Sequence, residues 1–516
     1  MPRLKLLFAA VFLATSANSY AATYYVDQTA GADSSAGTSP GTAWKNCPGM
    51  AAFTGSGSLR AGDLVYFDRA DTWLVTGAQG LYLVGGVTYI GDSWGGTGTR
   101  ATIRANADLN AGVIRFRDHA TSPTIFTGFE VDANSKVASG IDINHASYVA
   151  PQTGATKRIQ NCVVHNVSSR LSLGQYKYGI IISDHGGTAG AVENVEILDS
   201  VVHDVSRDAI CLYPGDENAD CRIKNITVRN SEAYNTGQDP DYCCGADILV
   251  KGYVQDATIE NNYIHDVKGA SLFINSNETN HFPGVGPTNI HFRYNIVTNA
   301  TVNGAIRIYD GSGGDPKDIK IYGNLVYNST VNGGFLIDSD LKSPLSLLLY
   351  NNTFFNAPVI INNNSATVTT FEFRNNVIHY TAGVPVTDTP RQITAHSNNI
   401  YYRGSGTVVK SGATNYSSSN LSSYESSASS VDPLFKDTAT LPNGFKVVGA
   451  GLTPNSDGFS LQATSFGVDH GATLASPYNG SINAVTRPVG GGSDIGAYEL
   501  SGAPSAPTNL RITGST

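Results

Sequence analysis

Short segments in which apolar and polar residues alternate recur along most of the 516-residue chain. Eight of these segments have the same sequence pattern. Alternating polar and apolar residues come first, then a position that is Asn or a small residue, and then a second apolar stretch. The eight segments are RIQNCVVH, EILDSVVH, TVRNSEAY, TIENNYIH, HFRYNIVT, KIYGNLVY, LLLYNNTFF and FEFRNNVIH. The shared position recurs at intervals that shorten from 38 residues (Cys162 to Ser200) to 23 (Asn376 to Asn399). Because the local period is two, the repeat predicts stacked β-coils and not a helical solenoid.

A second apolar strand precedes each of these segments. These strands fall at residues 140–144, 179–183, 209–213, 247–251, 271–275, 305–309 and 334–338. Corresponding residues of parallel stacked strands lie about 4.8 Å apart. We therefore expect columns such as Ile141, Ile180 and Ile210 to bury a continuous core, and the recurring Asn to form an internal ladder. The pattern predicts an all-β fold, a right-handed parallel β-helix.

Histidines follow the same register. His165, His203, His265 and His379 recur three residues after the ladder position, interspersed with tyrosine and phenylalanine. Such regular spacing predicts a structural stack of rings and not a catalytic group.

The repeat also divides the chain into regions. Residues 1–21 have the basic start, the apolar stretch and the small-residue cleavage site of a signal peptide. Residues 22–132 are predicted to form an N-terminal cap and the first coils, 133–400 the central coils, and 401–500 the C-terminal coils and an irregular closing region. Residues 501–516 read as a linker to a possible downstream domain. We expect a secreted protein, extracellular or periplasmic, monomeric and without a membrane span.

Composition excludes two classes of protein. With 33 Lys+Arg against 42 Asp+Glu and a net charge of −9, the chain lacks the basic excess of a nucleic-acid binder. Its 41% of hydrophobic residues excludes a disordered chain. The six cysteines lack zinc-site spacing, and those between Cys211 and Cys244 lie close enough in sequence to pin one set of loops in an oxidising compartment.

Outward positions of the apolar strands carry candidate binding groups. Coil stacking places Tyr213, Lys251, Asn275 and Tyr309 in one line, with Arg307 one pleat away. A lysine among apolar strand residues, with an arginine two coils along, suits an anionic sugar chain. The alternative is a lysine that only extends from a solvated sheet face. We also expect His185 and Asp310, next to these strands, to contact the substrate.

The loops beside these strands are acidic. Hard oxygen ligands around a groove suit Ca²⁺, which takes 6–8 of them, whereas the alternative is ordinary turn chemistry. The carboxylates that border the strands of neighbouring coils are the candidate ligands of a suspected Ca²⁺ ion. They are Asp184, Asp208, Asp216, Asp241 and Asp247.

Several stretches resemble a known group of proteins. The opening YYVDQTAGADSSAGTSPGTAWKN, the segment AGDLVYFDRADTW, the NN-x-I-H coils and the closing RPVGGGSDIGAYEL are similar to secreted bacterial right-handed β-helix proteins of the pectate-lyase-like superfamily. The resemblance implies an extracellular polysaccharide as partner. It allows polysaccharide lyases, glycoside hydrolases, uronate epimerases and catalytically silent surface proteins. DILVKG is similar to the strand that carries a basic residue beside Ca²⁺ in β-helix lyases.

The resulting functional hypothesis is Ca²⁺-assisted β-elimination of a uronate-containing polysaccharide. A cation stabilises the charge that develops when the C5 proton leaves, and Lys251 acts as base with support from Arg307. Tyr213 or Tyr309 protonates the leaving sugar. The alternatives are a polygalacturonase-type hydrolase using Asp208 and Asp247, a uronate C5-epimerase, and a non-catalytic carbohydrate-binding surface protein.

Overall fold

Three strands, one in each of three long sheets, make up one coil of the molecule. The computed structural model describes residues 21–76, 80–116, 121–146, 154–168, 177–185, 192–215, 221–239, 245–276, 286–309, 316–338, 345–362, 368–449 and 451–501, without the side chains of 109–111, 145, 146 and 185. Apart from the last strand of sheet 2, the strands pair in parallel with their counterparts in the neighbouring coils, as the alternating repeat predicts. This architecture confirms the predicted parallel β-helix.

The strands of each sheet follow the order of the coils. Sheet 1 contains Thr23–Val26, Leu64–Asp68, Thr88–Trp94, Thr124–Thr127, Lys157–Gln160, Val192–Leu198, Ile223–Arg229, Val254–Glu260, Thr288–Arg293, Lys317–Tyr322, Leu345–Tyr350, Val368–Arg374 and Ala395–Ser397. Sheet 2 contains Leu81–Leu83, Leu109–Phe116, Val137–Ala146, Tyr178–His185, Asp208–Tyr213, Ala246–Lys251, Ala270–Asn275, Ile306–Tyr309, Phe335–Ile337, Val359–Ile361, Val386–Asp388, Thr407–Ser411 and the antiparallel Thr414–Ser417. Sheet 3 contains Thr72–Val75, Ala101–Ala105, Phe129–Asp132, Val163–Val167, Val201–Val205, Glu232–Thr236, Tyr263–Val267, Ile296–Ala300, Leu325–Tyr327, Thr353–Phe355, Val377–His379 and Ile400–Tyr402.

A few elements lie outside the three sheets. A hairpin joins Phe445–Val448 to Gly451–Pro454, and the described residues include 3-10 helices at Pro40–Thr42 and Leu421–Ser423. Within the part of the chain that the structure describes, no helix is long and apolar enough to cross a membrane.

The predicted inward columns form the core. In sheet 2, Ile141 pairs with Ile180 and Ile180 with Ile210, and all three side chains are fully buried. The column continues through every coil to Phe335. Because the side chains of a strand alternate between its faces, the neighbouring positions of the same strands point outward and remain available for binding.

The predicted asparagine ladder is present where sheet 1 turns into sheet 3. The side-chain amide of Asn262 donates to Asn295 Oδ1 (3.0 Å), and the same bond links Asn295 to Asn324 (3.1 Å). It continues through Asn352, Asn376 and Asn399 and ends on the buried carboxylate of Glu425. Each side-chain amide also donates to a backbone carbonyl of the preceding coil, as Asn262 does to Val228 (3.0 Å), so it links the coils on both sides in an interior from which water is excluded.

The residue before each ladder position forms an outer turn column. It adopts a left-handed backbone conformation, which asparagine tolerates better than most residues. The column consists of Asn161, Asp199, Asn230, Asn261, Tyr294, Gly323, Asn351, Asn375 and Asn398. Its side chains lie along the outside of the solenoid, where the C-terminal region packs against it.

The predicted stack of rings lies on the outward face of sheet 3. The rings of His165, His203, Tyr234 and His265 stack with centroid separations of 4.8–5.1 Å. Acidic side chains hold the imidazoles, as in the contact of His265 Nε2 with Glu232 Oε1 (3.0 Å). The stack is therefore part of the scaffold.

Parts of the sequence prediction concern residues that the structure does not describe. The signal peptide lies almost wholly within residues 1–20, and the linker within 502–516. Cys243 and Cys244 also lie outside the described residues. Cys47, Cys162 and Cys211 are buried free thiols, so Cys211 forms no disulfide with another loop.

Candidate functional site

The predicted line of polar residues lies on the outward face of sheet 2. Lys251 pairs with Asn275, and Asn275 with Tyr309, in directly stacked strands. Tyr213 comes one coil earlier, after the paired residues Leu212 and Val250. The alternation of each strand places these side chains opposite the apolar core. The register expected from the sequence thus brings all four residues into one row.

Lys251 and Tyr213 are in direct contact. The Lys251 ammonium lies 4.4 Å from the centre of the Tyr213 ring, within the range of a cation–π interaction. The lysine side chain is half-buried and the strand around it is apolar. The Tyr213 ring therefore helps to hold the Lys251 ammonium in a defined position on the outward face of sheet 2.

Arg307 occupies the adjacent row, as predicted. Its strand neighbour is Phe273, and its guanidinium lies 4.9 Å from the Phe273 ring and 5.3 Å from the Tyr309 ring. The Nε atom donates to Asp338 Oδ2 (3.0 Å), and Nη2 contacts the same oxygen. This ion pair and the two rings fix the plane of the guanidinium beside the polar row.

An apolar cluster lies next to the polar row. Its members point outward yet are buried; they are Tyr178, Cys211, Ala246, Leu249, Ala270 and Phe273, with Tyr213 and Tyr309 packed against them. Burial raises the pKa of the Cys211 thiol well above its usual value. The cluster forms an apolar surface beside the polar row. Because it excludes water, charges close to it are weakly screened.

Asp208 is buried beside this cluster. Its Oδ1 accepts a hydrogen bond from the Ala246 backbone N–H (2.7 Å), and its Oδ2 lies 3.4 Å from Arg207 Nε. Burial raises the pKa of Asp208 to about 6, although Arg207, the Ala246 bond and the Lys251 charge oppose the rise. Asp208 thus lies within electrostatic reach of both Arg207 and Lys251.

The other predicted calcium ligands within the described residues are engaged elsewhere. Asp247 is fully buried and accepts a hydrogen bond from Thr236 Oγ1 (2.7 Å), and burial raises its pKa well above the usual value. Asp184 is also fully buried, and its Oδ2 accepts from the Arg222 backbone N–H (2.8 Å). Asp208 and Asp247 lie at the starts of their strands, whereas Asp184 lies near the end of its strand.

These carboxylates do not fit a calcium site as a set. Calcium requires several oxygens converging on one point, whereas each of these side chains is buried and bonded within the fold. Among the described residues, the acidic group whose oxygens approach one another within 4.8 Å is Asp27, Asp68 and Asp71, on the first coils. Its carboxylates accept backbone N–H bonds, such as Gly96 to Asp68 (2.9 Å).

Four predicted residues cannot be placed. Asp216, Asp241 and Asp310 lie outside the described residues. His185 ends its sheet 2 strand, but its side chain is not described.

The sequence analysis missed a charged pair on the same face. Arg115 Nη2 lies 3.3 Å from Asp142 Oδ2, both side chains are buried, and the Tyr82 ring lies 5.4 Å from the guanidinium. Arg115 and Asp142 are register partners, and Asp142 pairs with Ile181 in the next coil, so the pair continues the row that contains Arg307. The sequence did indicate one member of this pair, since Asp142 occupies an outward position in the first coil that the repeat identifies.

Comparison with known proteins supports the fold. Residues 138–354 match the family described as right handed beta helix region. This match confirms the resemblance to right-handed β-helix proteins. A comparison with curated proteins finds no match.

Solved structures with similar architecture share little sequence. Pectate lyase Pel9A is 14% identical, with 94% of this chain and 97% of that chain covered and a TM-score of 0.47. The GH136 lacto-N-biosidase from Eubacterium ramulus is 15% identical, with 75% and 65% covered and a TM-score of 0.43, so this chain spans slightly less than two thirds of it. The A-module of the Azotobacter vinelandii mannuronan C-5 epimerase AlgE4 is 14% identical, with 68% and 87% covered and a TM-score of 0.32.

Proposed function

The chain is a right-handed β-helix protein, and from that premise we propose that it is a secreted polysaccharide lyase acting on a uronate-containing chain. The observation that carries the proposal is the row on sheet 2, in which Lys251 contacts Tyr213 and is followed by Asn275 and Tyr309. Arg307 lies beside this row. An extended polymer fits a row that advances by one strand spacing in each coil.

The proposed reaction is a β-elimination. The Lys251 side-chain nitrogen removes the proton from C5, next to the uronate carboxylate. The electron pair forms the C4–C5 double bond, and the bond from C4 to the glycosidic oxygen breaks. The Tyr213 or Tyr309 hydroxyl protonates the departing oxygen. Arg307 faces the carboxylate and stabilises the negative charge that develops on it.

Calcium has no step in this proposal, since the described carboxylates do not converge on one point. Arg307 supplies positive charge from within the chain. Among the described residues, Arg307 donates hydrogen bonds to Asp338 through Nε and Nη2. The Nη1 atom takes no part in this ion pair.

The hydrolase alternative finds less support. A hydrolase needs two carboxyl groups that reach the glycosidic bond and its attacking water. Asp208 and Asp247, the pair considered from the sequence, are both fully buried and hydrogen-bonded within the fold. Burial favours a structural role for both.

The test is product formation from a panel of pectate, alginate, glycosaminoglycans and bacterial exopolysaccharides. We expect ultraviolet absorbance from a new double bond with at least one polymer, and its loss in Lys251→Ala. The matched control is Lys224→Ala, which removes an exposed lysine of sheet 1. Saturated reducing ends would instead indicate hydrolysis, and retention without any product a binding protein.

A further inference from the structure

The outer turn column already binds one polypeptide segment, which belongs to the protein's own C-terminal region. The side-chain amide of Asn398 donates to the His470 carbonyl, and that of Asn375 to the Ala472 carbonyl, both at 2.8 Å. Asn351 donates in the same way to Tyr478 (2.8 Å). Successive coils thus present amides at strand spacing, and these pair with a polar chain that runs along the solenoid.

The column continues past the point where this contact ends. In the earlier coils, Asn261 and Asn230 occupy the same outward turn position. The Asn261 side chain makes no hydrogen bond to any residue that the structure describes. Asn230 bonds along the column to Asp199 (3.2 Å). Amide groups of the same kind as those that bind residues 470–478 are therefore present at this part of the column.

A cleft lies over this part of the column. It has a volume of about 540 Å³, within the usual range of ligand sites, and adjoins a second cleft of about 400 Å³. Asn230 and Asn261 line one side, and the hairpin residues Phe445 and Leu452 line the other. Tyr263 also lines this cleft, and Tyr294 lines the adjoining one. One wall is polar and amide-rich, whereas the other is apolar and partly aromatic.

We propose that this cleft is a second carbohydrate-binding site, which holds a neutral, hydroxyl-rich stretch of a glycan chain. Hydroxyl groups both donate and accept hydrogen bonds, as the amides do, and the apolar faces of pyranose rings suit Tyr263 and Leu452. Asp199 and Glu232 in the same cleft disfavour a uronate there. The proposal rests on the proposed function only in taking a polysaccharide as the ligand class.

The experiment measures binding in the Lys251→Ala protein, so that no polymer is consumed. Native gels containing galactomannan, hydroxyethylcellulose or polygalacturonate give a dissociation constant from the retardation of the protein. We expect at least one neutral polymer to retard the protein. Asn261→Gly and Leu452→Ala should each weaken that binding about fivefold, the effect of losing one hydrogen bond or apolar contact.

The matched control is Asn225→Gly on sheet 1. Asn225 and Asn261 both have a positive φ (57° and 56°), which glycine also adopts, so neither change strains the backbone. Asn225→Gly should bind as the Lys251→Ala protein does. The proposal is overturned if neither neutral polymer retards the protein, or if both cleft variants bind with unchanged affinity. Because the readout is retardation and not product, failure of the lyase proposal leaves this result interpretable.

Discussion

The Lys251 ammonium lies 4.4 Å from the centre of the Tyr213 ring, across two neighbouring coils. The two residues are 38 positions apart in sequence, and stacking alone brings them together. The contact gives the lysine a fixed position while leaving the Tyr213 hydroxyl as a separate chemical group. The two roles of the tyrosine, as ring and as hydroxyl, can therefore be separated by mutation.

Tyr213→Phe tests the hydroxyl. The variant keeps the cation–π contact but loses the proton donor, so we expect kcat to fall about 100-fold with KM little changed, the usual size of a general acid contribution. Steady-state kinetics by double-bond absorbance measures this. Tyr309→Phe serves as the comparison, and the variant with the larger loss identifies the donor. If both variants keep full kcat, neither tyrosine protonates the leaving group.

Arg307→Lys tests the planar cation. Lysine keeps the charge but cannot contact Asp338 through two nitrogens or stack in the same way on Phe273. We expect KM for the uronate polymer to rise about tenfold. Arg158→Lys, which alters an arginine–glutamate pair on sheet 1, is the control and should leave KM unchanged. An unchanged KM in Arg307→Lys would remove Arg307 from the site.

Asp208 makes stability depend on pH. Its pKa is raised by burial from 3.8 to about 6, so the folded state retains a proton that the unfolded state releases. This contribution to the free energy of unfolding is fully present below about pH 4 and is lost as the pH rises through 6. Over that range it amounts to roughly 3 kcal/mol, since one pKa unit corresponds to about 1.4 kcal/mol.

The measurement is urea unfolding of the wild-type protein and Asp208→Asn between pH 4 and 8. The variant cannot titrate at this position, so we expect the stability of the wild type relative to the variant to decrease as the pH rises. A constant difference across the range would show that Asp208 is ionised throughout.

The asparagine ladder sets the stability of the central coils. Asn324 accepts from the backbone and side chain of Asn295 and donates to Phe292 and Asn352. Asn324→Ala leaves several buried groups without partners, each costing about 1–3 kcal/mol. We expect a loss of at least 3 kcal/mol by urea unfolding. The exposed Asn362→Ala should change stability by less than about 0.5 kcal/mol.

Periodicity predicted the scaffold closely because the same local rule operates in every coil. The column from Ile141 to Phe335 follows from alternation and stacking, and so does the row through Lys251 and Tyr309. These positions are determined by strand register, which a sequence records directly.

The acidic residues were harder to place because their orientation depends on the corners between sheets. Asp247 lies at the start of an apolar strand, where the side chain of a metal ligand could face a loop. Its carboxylate instead accepts a hydrogen bond from Thr236 inside the fold. Thr236 lies in a column whose other members, such as Val205 and Val267, are core residues, so a polar partner there was not evident from composition. The pair of Arg115 and Asp142 was missed because the strand that holds Arg115 precedes the recognisable repeat.

The hydrogen bonds of the asparagine ladder all point the same way along the solenoid. Each side-chain oxygen accepts from the preceding coil, and the last amide, on Asn399, needs a group that only accepts, which Glu425 provides. The stack therefore has a polarity and a dedicated terminator. Deleting or duplicating a whole interior coil would keep every hydrogen bond of the ladder matched. A deletion that begins or ends within a coil, or the loss of Glu425, would interrupt the ladder.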